Sequence, residues 1–125
     1  MPVLIVYGVP SNVGRDKLES LINVLRHEVG SMPTLSPEAV SVFFPADLVE
    51  VGLGEELVCL VQGLFENPKR TTEFRRHLAE AILVFLSYFA RCHLSQCKKV
   101  EVFVNRFNQD IDGFMACNPY EQEQA

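Results

Sequence analysis

Two segments of this chain, residues 3–9 (VLIVYGV) and 57–65 (LVCLVQGLF), are apolar and β-favouring at almost every position. A strand with one wet face alternates polar and apolar residues, so runs like these belong to strands covered on both faces. Each run is followed by turn residues, an amphipathic helix and a second strand. After the first, Leu18, Leu21, Ile22, Leu25 and Val29 recur at helical spacing between Arg15 and Gly30, while Arg15, Asp16, Glu19, Asn23 and Arg26 take the opposite side. Ser11 or Asn12 is placed to cap this helix and Gly30 to stop it. A loop at residues 31–37 carries two prolines, and residues 40–44 (VSVFF) read as a strand ended by Pro45. Residues 47–55 read as a connection hinged at Gly52 and Gly54.

After the second run, Asn67-Pro68-Lys69-Arg70 is turn chemistry and Thr71 or Thr72 can cap a long helix. Phe74, Leu78, Ala81, Ile82, Phe85, Leu86 and Phe89 form its apolar face. Leu83, Val84 and Tyr88 widen that face, so the C-terminal half is expected to be covered on two sides. Residues 99–105 (KVEVFVN) alternate as a strand with one more exposed face. The order is thus strand–helix–strand, twice. Two such right-handed units side by side make an α+β two-layer sandwich, a four-stranded sheet with both helices on one face. The sheet's other face is left bare although its strands are apolar there, and self-association is the economical cover. With 125 residues in all, residues 1–118 read as a single domain and 119–125 as an acidic tail.

Composition removes several functions. A net charge of -5 and scattered Arg and Lys leave no basic face for nucleic acid. The most apolar stretch, residues 79–90, is interrupted by Glu80 and Ser87 and is far short of the roughly 20 residues a membrane span needs. No signal-peptide pattern opens the chain, so a cytoplasmic protein with reduced Cys59, Cys92, Cys97 and Cys117 is expected. Cys92 and Cys97 are one Cys-x4-Cys pair without a second, and a structural zinc site commonly needs two, so no metal is implied. His93 adjoins Cys92, but neighbours at a helix end point different ways and do not make a nucleophile–base pair. His27 and His77 sit among charges on helix faces.

Pro2 is the residue with the most chemistry to offer. If the initiator methionine is removed, it becomes a terminal secondary amine at the start of a buried strand. A free α-amino group titrates near about 7.7–8.0 and burial lowers it, which suits a general base at neutral pH. The plain alternative is a strand that begins early, with proline tolerated at its first residue.

Together these segments resemble the tautomerase superfamily, which includes macrophage migration inhibitory factor, oxalocrotonate tautomerases, malonate semialdehyde decarboxylase, cis-chloroacrylic acid dehalogenase and an uncharacterised bacterial branch. The carrying residues are 2–6 (PVLIV), 42–48 (VFFPADL), 60–65 (LVQGLF) running into Thr71 and its helix, and 100–104 (VEVFV). The resemblance spans Pro2 to about Phe114 and rests on order and spacing more than on any one motif. It implies a homotrimer with sheets curled around a channel and helices outside. It also implies an isomerase-type activity on a small 2-oxo or unsaturated carboxylic acid, with Pro2 as base in a pocket between subunits and no cofactor. An arginine pair of the decarboxylase and dehalogenase branches falls near Asn67, Lys69 and Arg70, where a cation would hold a substrate carboxylate and developing enolate charge. The tyrosine and asparagine of the migration-inhibitory branch's fourth strand become Glu101 and Phe103, and the dehalogenases' water-activating carboxylate becomes Arg106. That last change disfavours hydration chemistry and makes Arg106 a further anion-binding candidate. The competing reading is a catalytically silent trimer of the same fold that binds or scaffolds.

Overall fold

The computed structural model describes residues 2–45 and 55–120. The expected hinges Gly52 and Gly54, the 46–48 part of the resemblance and the end of the acidic tail lie outside the described residues. Six main elements follow the expected order: β1 (Val3–Tyr7), α1 (Arg15–Gly30), β2 (Ser41–Phe43), β3 (Glu56–Phe65), α2 (Thr72–His93) and β4 (Lys99–Phe107). A short 3-10 turn at Pro37–Ala39, which the two-proline loop did not reveal, leads into β2.

The four strands form one sheet in the order β2-β1-β3-β4. β1 runs parallel to β2 and β3 parallel to β4, while β1 and β3 are antiparallel. Each strand–helix–strand unit therefore contributes a parallel pair, and the two units join through their first, most apolar strands. This is the α+β sandwich that the periodicities predict.

Register decides which residues meet the helices. Leu4 lies between Val42 and Val61, and Val6 lies opposite Cys59. Leu57, Cys59 and Val61 continue onto Val100, Val102 and Val104. Against this face pack Leu21, Leu25 and Val29 of α1 and Leu78, Ile82, Leu86 and Phe89 of α2, all buried. The opposite register carries Val3, Ile5, Tyr7, Val58 and Leu60, which lie away from both helices and outside the buried core of the described residues. One row on that face crosses the whole sheet, Phe43–Ile5–Leu60–Phe103, with its end members 56% and 48% exposed. Among the described residues, the expectation of a bare apolar sheet face is met.

Two local expectations are corrected. α1 begins at Arg15 with Gly14 as its N-cap and no side-chain cap, in place of Ser11 or Asn12. The reason is a turn between Pro10 and Val13, whose N–H donates to the Pro10 carbonyl at 3.2 Å. The C-terminal half of α2 is not covered on two sides: Val84 is 61% and Tyr88 63% exposed. At 100° per residue those positions fall on the far side from Ile82 and Leu86. The β1 strand stops at Tyr7 because Gly8 turns there with φ 98, where a Cβ would overlap the Glu56 carbonyl oxygen.

Candidate active site

Pro2 immediately precedes β1, in step with Leu4 and Val6, and its side chain is fully buried. Its carbonyl accepts the Ser41 N–H at 3.2 Å, which ties it to the start of β2. On its other side the last β1–β3 pair is Val3 with Gln62. The β3–β4 register shifts between Val61 and Leu64, where Gly63 adopts φ 71. Pro2 thus stands beside an irregularity that re-aims the end of β3.

Because β1 is antiparallel to β3 and β3 parallel to β4, the head of β1 shares one edge of the sheet with the ends of β3 and β4. Side chains from residues far apart in sequence meet there. Arg106, opposite Leu64, reaches Glu66 through Nε at 3.0 Å and Nη2 at 2.8 Å. Asn108 Nδ2 holds the other Glu66 oxygen at 3.2 Å. Arg70 Nη1 donates to the Phe65 carbonyl at 2.7 Å, while its Nε and Nη2 donate to Thr34 Oγ1 and O at 3.0 and 3.2 Å. Arg75 Nη1 donates to the Arg70 carbonyl at 2.6 Å.

Glu66, Asn67, Arg70, Arg75, Arg106 and Asn108 help to line an open, polar cavity of about 420 Å³ at this edge. Three guanidiniums face it against the carboxylates of Glu66 and Asp110. Their donors already bond within the chain, to Thr34, Phe65, the Arg70 carbonyl, Thr72 and Glu66. Pro2 lies at the same edge of the sheet but does not line this cavity.

The sequence candidates therefore separate. Arg70 and Arg106 come together on one cavity. Lys69 sits on the adjoining turn, where its N–H closes onto Asn67 Oδ1 at 2.9 Å and its side chain is exposed. Glu101 and Phe103 lie elsewhere, in the middle of β4 on the bare face, opposite Val58 and Leu60. Glu101 pairs with Lys99 at 3.2 Å. Sequence reasoning did not single out Glu66, Arg75 or Thr34. Glu66 stands directly after β3 and before the Asn67-Pro68 turn, the one local signal that could have raised it.

Elsewhere, Cys97 Sγ donates to the Lys99 carbonyl at 3.5 Å, Cys92 is exposed, and the His93 ring packs edge-on against Phe89 at 4.9 Å. Among the described residues no helix is long and apolar enough to cross a membrane.

No known family profile matches the chain, and no curated protein matches it in sequence. Solved structures do match in shape. A 5-carboxymethyl-2-hydroxymuconate delta-isomerase aligns with a TM-score of 0.68 and 12% identity, covering 100% of this chain and 96% of that one. A wild-type fused 4-OT, described as an asymmetric trimer, gives 0.61 and 16% identity over 90% and 91% of the two chains. A member of the cis-3-chloroacrylic acid dehalogenase family gives 0.59 and 15% identity over 85% and 75%. The chain has the tautomerase fold.

Proposed function

We propose that the chain is a cofactor-independent tautomerase in which Pro2, exposed by removal of Met1, transfers a proton on a small 2-oxo or unsaturated carboxylic acid. The imino nitrogen takes the proton from the carbon next to the carbonyl. The electron pair moves into the carbonyl to leave an enolate oxygen, and the proton returns at the new position. Lys69 and Arg106 supply the positive field that holds the substrate carboxylate and the enolate charge, beside Arg70, whose donors are taken up by Thr34 and Phe65. The observation that carries this reading is a buried proline heading β1 at the sheet edge where Arg70 and Arg106 face a polar cavity, within a tautomerase fold. Decarboxylation is a lesser candidate, and so is hydration, since by the resemblance Arg106 replaces the water-activating carboxylate.

The bare row Phe43–Ile5–Leu60–Phe103 supports assembly into a homotrimer, as does a structural neighbour described as a trimer. Glu101 and Phe103, on that face, then reach a substrate only across an interface between copies. Four free thiols suit the cytoplasm.

A second reading, a non-catalytic trimeric binding protein, is favoured by the engagement of both arginines, Arg70 with Thr34 and Phe65 and Arg106 with Glu66. Intact mass and turnover separate the two. A mass lacking one methionine, with phenylpyruvate or 2-hydroxymuconate turnover that Pro2→Ala abolishes, is the expected result. Retained Met1 without turnover leaves the binding protein.

A further inference from the structure

We propose that Arg70 is a positioning residue: its guanidinium clasps the loop between α1 and β2 to the end of β3 and so holds the Ser41–Pro2 contact at the head of β1. This rests on the reading of Pro2 as the reacting group, and it gives Arg70 a role different from a direct grip on substrate.

Three of the donors of Arg70 are used inside the chain, one on Phe65 at the end of β3 and two on Thr34 in the loop. The fork of a guanidinium suits this triple contact, whereas an ammonium acts as a point charge. Arg75 fastens the Arg70 backbone in turn.

Thr34 itself has φ 70. Its branched Cβ makes that conformation an outlier, and such strain persists only where surrounding bonds over-determine it. Here the surrounding bonds are those of Arg70, which take both the hydroxyl and the carbonyl of the strained residue. The loop is held at its other end too, by Arg26 Nε on the Pro37 carbonyl at 3.2 Å. From Pro37 the chain passes through the 3-10 turn, with Ala39 and Val40 N–H donating to Ser36 and Pro37, and then Ser41 N–H meets Pro2. Arg70 and Pro2 are thereby linked through one short loop fastened by hydrogen bonds at both ends.

The test is amide hydrogen exchange on the full chain together with kinetics on phenylpyruvate. Arg70→Ala is expected to speed exchange at Leu35, Ala39, Val40 and Ser41 by about tenfold or more, the scale of losing a hydrogen bond to a charged donor. Amides of α2 and of residues 57–61 should be unchanged. Kcat should fall while KM stays within about twofold, because an interaction absent from substrate binding leaves KM alone. Thr34→Gly, which accepts a positive φ without strain, should restore most of the protection in the Arg70→Ala background. Arg70→Lys, which keeps the charge without the fork, should not.

Should Arg70→Ala fail to fold, the Arg70→Lys exchange pattern decides alone, and full loop protection there overturns the proposal. So does a raised KM in Arg70→Ala with exchange unchanged, which would make Arg70 a substrate ligand. If the unaltered protein has no turnover, the proton-transfer reading fails, while the exchange results still decide the clasp.

Discussion

A thiol surrounded by hydrocarbon has no means of stabilising its anion. Cys59, on the helix side of β3, is fully buried, and burial pushes its pKa from 9.0 up to about 12. Between those values the unfolded chain releases the proton and the folded chain keeps it, so this residue's contribution to stability is present below pH 9 and declines as pH rises towards about 12. Urea midpoints measured across that range should fall for the native protein and fall less for Cys59→Ala, compared as slopes with pH. With a thiol reagent at pH 8, the exposed Cys92 and Cys117 should react in the native state and Cys59 only after unfolding. At this scale the sequence marks Arg70 and Arg106 as cations but not what they do. Their partners, Thr34 and Glu66, are 36 and 40 residues away, and no local spacing encodes such pairings.

Elements were more legible than residues, because helices and strands report themselves through period. α1 occupies Arg15–Gly30 as expected, and the long helix is capped by Thr71, whose Oγ1 accepts the Phe74 N–H at 3.2 Å. Thr71→Ala should therefore cost about 1 kcal/mol by thermal or urea unfolding. Ile82→Ala, at the centre of the buried stripe of α2, should cost about 2–5 kcal/mol, since it opens a cavity between helix and sheet. The ends of elements were read less well. β1 gives way at Gly8 two residues before the apolar run stops, because hydrophobicity continues through a turn that only the approach of Glu56 requires. Val84 and Tyr88 misled for a related reason. Both are apolar, but their angular position on α2 turns them away from the sheet.

At the scale of the whole molecule the dominant feature is the sheet face that neither helix covers. Phe43, Ile5, Leu60 and Phe103 are neighbours only because register aligns four strands, and the helix layer lies on the other side. If the proposed homotrimer forms through this face, the native protein should sediment at three times the 14.1 kDa chain mass, and Leu60→Glu, outside the main core, should keep the fold but shift it toward the monomer. A trimer unaffected by that charge would place the interface elsewhere. The repeat of strand, helix and strand and the apolar faces were written in the sequence, because periodicity is a local property of a chain. The joining of the two units through β1 and β3, the bulge beside Pro2 and the gathering of Arg70, Arg106 and Glu66 at one edge were decided only in three dimensions. Strand order and register bring together residues that the linear chain keeps tens of positions apart.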